Sequence, residues 1–224
     1  MDLARKQKIA STSSMVFGIT PIVYVVDDDV AVRQAIELLI RQCGWQPRTF
    51  VSAQDFLARD RVVAPSCLLL EVGLPDMNGL EVQERIADSR TWMPIIFITA
   101  CRDVPTTAQA MKAGAAEFLT KPLRGDDLVT AMRDAIERSR AQLLAETEVQ
   151  VLSAYYASLT TRERDVMALV ASGLSNKAVG YKLGIYETTV KGHRAEVMRK
   201  MRADSLAELV SMAARLSRLA TAKS

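Results

Sequence analysis

The chain has 224 residues, of which 49% are hydrophobic, and its formal net charge is +3. This length suits one or two domains with hydrophobic cores, and no apolar run approaches the roughly 18 residues that a membrane span needs. The three cysteines include no Cys-x-x-Cys pair, which argues against a disulfide framework or a zinc site and favours a reduced, cytoplasmic protein without membrane association.

The charge is distributed unevenly along the chain. Residues 21–150 carry 14 Lys and Arg against 19 Asp and Glu, a net charge of −5, whereas residues 151–224 carry 12 against 6, a net charge of +6. An acidic half followed by a basic half suggests that the second half binds a polyanion. Residues 1–20 lack the apolar core of a signal peptide, and we expect them to form a disordered leader.

Residues 21–140 alternate between apolar runs of strand length and segments with helical periodicity. Strands are predicted at residues 22–26, 48–51, 68–71, 94–99 and 117–119. Because five strands alternate with five helices, the sequence predicts an α/β fold, a doubly wound five-stranded parallel sheet with helices on both faces.

Polar side chains stand at the ends of these predicted strands. They are Asp27, Asp28, Glu71, Thr99 and Lys121. The carboxyl ends of parallel strands meet at one edge of a sheet, so we expect these side chains to lie close together. Carboxylates are hard ligands of the kind that Mg²⁺ prefers. A carboxylate acceptor beside a lysine and a cation is typical of a phosphoryl-transfer site.

These residues, with the segment Leu74-Pro75-Asp76-Met77-Asn78-Gly79 and the pair Lys121-Pro122, resemble the receiver domain of two-component response regulators over about residues 21–140. The resemblance implies a Mg²⁺ site made of Asp27, Asp28, Glu71 and the carbonyl of Gly73. It implies that the phosphoryl group, carried at position 71, meets Thr99 and Lys121. It places a switch at Thr99 and Phe118 and a cis peptide before Pro122.

A second part of this resemblance concerns dimerisation. The segments Val104-Pro105 and Ala110-Met111-Lys112-Ala113-Gly114 resemble the helix-4 region through which FixJ-type receivers dimerise. The resemblance therefore implies a homodimer contact at Val104, Pro105, Met111 and Lys112.

The acceptor position departs from the family pattern, because the family has Asp where this chain has Glu71. The extra methylene displaces the carboxylate, and misplacements of about 1 Å can lower a rate on the order of 10²-fold. We therefore expect phosphotransfer to be impaired. Two interpretations stay open: Glu71 mimics the phosphorylated state, or it disables the site.

Residues 141–156 lack Gly and Pro and predict a helical linker. Residues 157–224 predict an all-α domain of four helices, two of them opened by the capping boxes Thr160-Thr161-Arg162-Glu163 and Ser205-Leu206-Ala207-Glu208. A short helix ending before Gly184 and a longer helix from about Glu187 predict a helix-turn-helix pair.

The longer helix of this pair has an apolar face on one side and polar residues on the opposite side. The segment Thr189-Val190-Lys191-Gly192-His193-Arg194 of this helix, together with Gly173-Leu174-Ser175-Asn176-Lys177 and Leu183-Gly184-Ile185, resembles the LuxR-type DNA-binding domain. The resemblance covers about residues 156–220. The candidate DNA-binding residues are Lys177, Thr188, Thr189, Lys191, His193 and Arg194, of types that suit phosphates and base edges. The resemblance also implies that the last helix pairs in a dimer, through Leu206 and Val210.

Three residues depart from the LuxR-type pattern. Tyr186 stands where the family commonly has a Ser cap, and Gly180 and Gly192 replace residues that favour helix. Each glycine inside a helix costs roughly 0.5–1 kcal/mol. Gly192 also lies on the recognition helix, so DNA affinity or sequence choice is expected to differ from the family norm.

The sequence as a whole predicts a cytoplasmic, DNA-binding response regulator of the FixJ type, with a sensor histidine kinase as a partner that Glu71 bypasses. One alternative keeps the fold but has dimerisation or a ligand regulate an inert receiver. Another is a protein-binding adapter with a spent helix-turn-helix. A third, a Mg²⁺-dependent aspartyl phosphatase, would need an acceptor Asp followed two residues later by an acid, and Glu71-Val72-Gly73 lacks both. We therefore expect no enzyme activity.

Overall fold

The computed structural model describes residues 18–87, 93–100 and 104–221, so most of the predicted leader at residues 1–20 lies outside the described residues. The described residues form two compact units, divided between Ala145 and Glu146. None of the described helices combines the length and the apolar character required to cross a bilayer.

Five parallel strands form one sheet in the first unit, as predicted. They are β1 (Ile22–Val26), β2 (Gln46–Phe50), β3 (Ser66–Glu71), β4 (Ile95–Thr99) and β5 (Glu117–Thr120), in the order β2-β1-β3-β4-β5. Every residue of β1, β3 and β4 is buried. Central parallel strands are covered on both faces, which explains why these three segments are continuous apolar runs.

Helices connect these strands and cover both faces of the sheet. They are α1 (Val30–Gln42), α2 (Ala53–Leu57), α3 (Gly79–Arg85), α4 (Val104–Lys112) and the long helix α5 (Gly125–Ala157). Leu68 and Leu70 point to one core with Phe56 of α2, whereas Leu69 points to the other with Ile40 of α1 and Met132 of α5. Alternate strand residues therefore build two separate cores.

The second unit is helical, as predicted. Its further helices are α6 (Thr161–Ala171), α7 (Asn176–Leu183), α8 (Glu187–Met201) and α9 (Leu206–Thr221). They share a core that includes Val166, Val179, Val190, Val197 and Leu209. Leu152, Tyr155 and Tyr156, near the end of α5, also pack on this core, so part of the segment predicted as a linker contributes to the second unit.

A buried acid connects two helices of the second unit. Glu163 forms the predicted capping box with Thr160 at the start of α6. Its two carboxylate oxygens also accept hydrogen bonds from Lys200 Nζ of α8 at 2.9 and 2.7 Å. The hydrogen bonds from Lys200 and Thr160 hold the pKa of Glu163 below its usual range. The start of α6 is thereby fixed to the end of the recognition helix.

The two helices of the helix-turn-helix begin differently. Ser175 caps α7, because its hydroxyl accepts a hydrogen bond from the backbone N–H of Ala178 at 3.3 Å. Tyr186 occupies the same position before α8, but its side chain makes no capping hydrogen bond. The first turn of the recognition helix therefore lacks the side-chain acceptor that most helix starts use.

We expect Tyr186→Ser to raise the free energy of unfolding of the second unit by about 1 kcal/mol, because Ser supplies the missing cap. Chemical denaturation followed by circular dichroism measures the change. Ser175→Ala is the matched control, since it removes an existing cap and should lower stability by a similar amount. A loss of stability in Tyr186→Ser would mean that the tyrosine ring holds the helix start.

We expect Glu163→Gln to lower the free energy of unfolding of the second unit by about 1 to 3 kcal/mol near neutral pH, because it removes charge-assisted hydrogen bonds from a buried site. The folded pKa of Glu163 is lowered, so this stabilisation is present above the unfolded pKa and is lost as the pH falls through the folded pKa. Denaturation curves over a pH series should show the wild type and the variant converging in acid.

The control for this prediction is Glu196→Gln. Glu196 pairs with Arg199 on the surface of α8, where solvent screens the interaction. The free energy of unfolding of the Glu196→Gln variant should stay close to that of the wild type. Equal effects of the two substitutions would show that the Glu163–Lys200 contact has no special weight in the fold.

Candidate functional site

Three of the predicted site residues meet at the carboxyl edge of the sheet. Asp27 directly follows β1, Glu71 ends β3, and Lys121 directly follows β5. Lys121 Nζ lies 2.8 Å from Asp27 Oδ2 and 2.7 Å from Glu71 Oε2. The parallel arrangement of β1, β3, β4 and β5 brings these distant parts of the chain together, so one ammonium group bridges two buried carboxylates.

Backbone groups hold the other oxygen of each carboxylate. Asp27 Oδ1 accepts a hydrogen bond from the N–H of Asp29 at 2.9 Å, and Glu71 Oε1 accepts one from the N–H of Gly73 at 3.1 Å. Each acid is therefore fixed at both oxygens, by backbone on one side and by Lys121 on the other. This satisfies charged groups that would otherwise be costly to bury.

The electrostatic environment keeps Lys121 charged. Burial alone lowers the pKa of Lys121, but hydrogen bonds and attraction from Asp27 and Glu71 outweigh it and raise the pKa above its usual value. Lys121 is therefore a cation at neutral pH, and Glu71 has a fixed positive partner in the pocket.

Asp28 does not take part in these contacts with Lys121. It is exposed, and within the described part of the chain it forms no ion pair with Lys121. Over the described ranges, no three Asp, Glu, His or Cys side chains are arranged to hold a metal ion. Asp27, Asp28 and Glu71 are still the hard oxygen donors that suit Mg²⁺, so the donor set fits this ion, while Lys121 is the cation that pairs with two of these acids in this structure.

The predicted switch residues lie on the neighbouring strands. Thr99 ends β4 and is buried, and its carbonyl accepts a hydrogen bond from the N–H of Lys121 at 2.8 Å. Phe118 of β5 is half-buried, with its ring centroid 6.2 Å from that of Phe97. The peptide between Lys121 and Pro122 is cis, as the resemblance implied.

Three residues near the pocket were not among the predicted site residues. The guanidinium of Arg33, on α1, donates a hydrogen bond to the carbonyl of Asp27 at 2.5 Å. Asp76 accepts hydrogen bonds from the N–H groups of Ala53 and Gln54 and so holds the start of α2. A Cβ at Gly79 would lie 2.6 Å from the Glu71 carbonyl oxygen. Asp76 and Gly79 belong to the segment at residues 74–79 that carries the receiver resemblance, and Arg33 stands at helical spacing after Asp29, so each had a sequence signal.

The candidate dimer contacts are on the surface of their helices. Val104, Pro105, Met111 and Lys112 are exposed on α4. Leu206 and Val210 are exposed on α9, at 40% and 38% of their full area. Exposed apolar side chains on two helices are available for association, although a single such residue is common on any surface.

The candidate DNA-binding residues lie on α7 and α8. Exposed positions are Lys177, Thr188, Thr189 and Lys191, whereas His193 and Arg194 are half-buried. Arg194 Nη1 donates a hydrogen bond to Asn176 Oδ1 at 3.2 Å, so this guanidinium connects α8 to the start of α7. Lys191 pairs with Glu187 one turn earlier at 3.1 Å, an exposed contact that water and salt weaken.

The two helix glycines have different surroundings. A Cβ at Gly180 would lie 2.7 Å from the carbonyl oxygen of Ile185, so the turn approaches α7 more closely than a side chain would allow. A Cβ at Gly192 would meet nothing within 4 Å. Gly180 therefore has a packing role in the helix-turn-helix, and Gly192 leaves open space on the exposed face of α8.

Comparisons with known proteins agree with both units. Residues 23–133 match the model of the response regulator receiver domain, and residues 157–213 match that of the luxR family of bacterial regulatory proteins. Nodulation protein W of Bradyrhizobium diazoefficiens is 44% identical over 191 residues, covering 85% of this chain and 84% of that protein. Response regulator protein TmoT of Ectopseudomonas mendocina is 40% identical over 195 residues, covering 87% and 89%.

A solved structure extends this similarity to the fold. The response regulator StyR shares 40% identity and a TM-score of 0.82, covering 88% of this chain and 99% of that one. Such regulators bind DNA and act with sensor kinases in two-component systems, and they are transcription factors rather than enzymes. This chain belongs to the family of two-component response regulators that join a receiver domain to a LuxR-type DNA-binding domain.

Proposed function

We propose that this regulator is a cytoplasmic homodimer whose receiver is impaired in phosphotransfer, and that the carboxylate of Glu71 biases it in place of a phosphoryl group. The observation that carries this proposal is the 2.7 Å contact between Glu71 Oε2 and Lys121 Nζ. In the family, Lys121 is the residue that pairs with the phosphoryl anion. Here the carboxylate of Glu71 already contacts it.

The same contacts support the proposal that phosphotransfer is impaired. An acceptor carboxylate attacks through one oxygen, which must be able to turn a lone pair toward the phosphorus, and contacts that fix the carboxylate restrict that movement. Glu71 Oε2 is held by Lys121, and Oε1 is held by the N–H of Gly73. The side chain of Glu71 is one methylene longer than that of an aspartate, and displacements of about 1 Å are costly in such reactions.

Receiver domains bind Mg²⁺ for phosphorylation, and here Asp27, Asp28, Glu71 and the carbonyl of Gly73 would hold it. When bound, the ion would neutralise charge on phosphoryl oxygens. Lys121 already pairs with one oxygen of Asp27 and one of Glu71 and offsets one of their two charges, so it competes with Mg²⁺ and should weaken its binding. Thr99 and Phe118 would carry the bias to the helix α4 face, where Val104, Pro105, Met111 and Lys112 contact a second copy.

The second unit would deliver the output on DNA. Lys177, Thr188, Thr189 and Lys191 are exposed on α7 and α8 and supply the phosphate and base contacts, with His193 beside them. Arg194, held by Asn176, contacts DNA while also fixing the angle between the two helices. Leu206 and Val210 of α9 would pair the two DNA-binding units of a dimer. A sensor kinase is the family's partner, and Glu71 would bypass it.

The first test restores the family acceptor. Glu71→Asp should accept a phosphoryl group from acetyl phosphate in the presence of Mg²⁺, whereas the wild type should stay unmodified, because only the shorter side chain places an oxygen for attack. Intact-mass spectrometry measures the adduct. Stoichiometric phosphorylation of wild-type Glu71 would contradict the proposal.

A neutral variant of equal size tests whether the charge of Glu71 shifts the receiver toward the dimer. Glu71→Gln keeps the shape of Glu71 but removes the anion that binds Lys121. Sedimentation should show less dimer for Glu71→Gln, and for unphosphorylated Glu71→Asp, than for the wild type. A more dimeric Glu71→Asp without phosphate would favour the alternative in which Glu71 disables the receiver and dimerisation or a ligand regulates it.

The DNA-binding face has its own test. We expect Lys191→Ala to weaken binding and to reduce the slope of log affinity against log salt by roughly one, because one phosphate contact is lost. A titration by fluorescence anisotropy measures both. Arg199→Ala, which removes a charge near the far end of α8, should change the slope less. Binding that is insensitive to salt would exclude this face.

A further inference from the structure

Two tyrosines beside the helix-turn-helix turn are almost completely exposed. Tyr181, in the last turn of α7, keeps 92% of its full accessible area, and Tyr186, immediately before α8, keeps 84%. Tyrosine combines a large apolar ring with a hydroxyl, and it is enriched where surfaces bind partners. Two such rings on either side of one short turn therefore need an explanation other than packing.

The backbone between the two tyrosines is firmly held. Gly184 has a φ of +66° and ends α7, and the N–H of Ile185 donates a hydrogen bond to the carbonyl of Gly180 at 3.0 Å. On the other side, the carbonyl of Tyr186 accepts a hydrogen bond from the N–H of the buried Val190 at 3.1 Å. The positions from which both side chains leave the surface are therefore fixed.

The surroundings of these tyrosines are basic. Residues 176–194 contain four Lys and Arg against one acid, a net charge of +3. Lys177 lies one helical turn before Tyr181, on the same side of α7, and Lys191 follows Tyr186 along α8. Excess positive charge around exposed aromatic rings fits a polyanion better than an apolar protein surface.

The position of Tyr186 also connects it with the DNA-binding face. The N-terminal residues of a recognition helix approach the base edges, while the first helix of the pair crosses the backbone. Tyr186 is the residue that leads into α8, and its side chain makes no capping hydrogen bond there. The chain thus keeps a large exposed ring at a place where a serine would stabilise the helix.

We infer that Tyr186 and Tyr181 are contacts to the DNA backbone that extend the interface beyond the recognition helix. This inference rests on the DNA-binding function proposed above. Each hydroxyl donates a hydrogen bond to a phosphate oxygen, a role that tyrosine side chains take in protein–DNA complexes, and each ring covers the adjoining sugar. At position 186 the chain gives up a helix cap for this contact, a trade between stability and function.

The experiment compares full-length variants on a duplex that the wild-type chain recovers from a random-sequence library. Tyr186→Ser and Tyr181→Ala should each weaken binding by about 3- to 10-fold, the range of one neutral hydrogen bond and its ring contact. Tyr186→Phe, which loses only the hydroxyl, should weaken binding by about 2- to 5-fold. Fluorescence anisotropy over a salt series measures each affinity.

The salt series separates this inference from the proposed function. Tyrosine is uncharged, so its variants should leave the slope of log affinity against log salt unchanged, whereas Lys191→Ala should reduce it. Tyrosine variants that bind as tightly as the wild type, beside a weakened Lys191→Ala, would overturn the tyrosine contacts and leave the DNA-binding face intact. A Lys191→Ala variant that binds normally would instead contradict the proposed DNA-binding face.

Weaker binding by Tyr186→Ser could not be attributed to unfolding of the variant. Tyr186→Ser is expected to be more stable than the wild type because it restores the cap. Weaker DNA binding by this more stable variant would support a direct contact. Tighter DNA binding would show that a capped, more ordered helix start is what DNA requires, and it would overturn the role of Tyr186.

Discussion

The ammonium group of Lys121, held between the carboxylates of Asp27 and Glu71, is the interaction around which the pocket of the first unit is built. It exists because β1, β3 and β5 run in parallel and end at one edge of the sheet. Burial makes an unpaired charge expensive, and each of these three groups has an opposite charge beside it. Replacing the family's aspartate by the longer Glu71 changes this set while leaving its scaffold in place.

In the second unit, contacts of charged side chains hold the helices against one another. Glu163 connects the start of α6 to Lys200 near the end of α8, and Arg194 connects the middle of α8 to the start of α7. These contacts fix the recognition helix on its domain. The exposed residues at its start, and the two tyrosines beside the turn, can therefore meet DNA with little loss of conformational freedom.

Long, strongly patterned segments made the architecture predictable from the sequence. The apolar runs around Leu69 and Ile96 have the length of strands buried on both faces, and the parallel topology predicted that the acids at the strand ends would meet at one edge of the sheet. The contacts of Arg33 with Asp27 and of Asp76 with α2 were not predictable, because they depend on how loops approach each other in space. The packing role of Gly180 was not predictable for the same reason. From the sequence alone, Gly180 is only a residue that disfavours helix.

The most direct test of the central claim is a double-mutant cycle on the unfolding of the receiver, with Glu71→Gln, Lys121→Met and the combined variant. If the ion pair between Glu71 and Lys121 organises the pocket, the two substitutions should be non-additive, with a coupling free energy on the order of 1 to 3 kcal/mol. Additive effects would mean that the two charges do not act on each other, and they would contradict a receiver biased by its own glutamate.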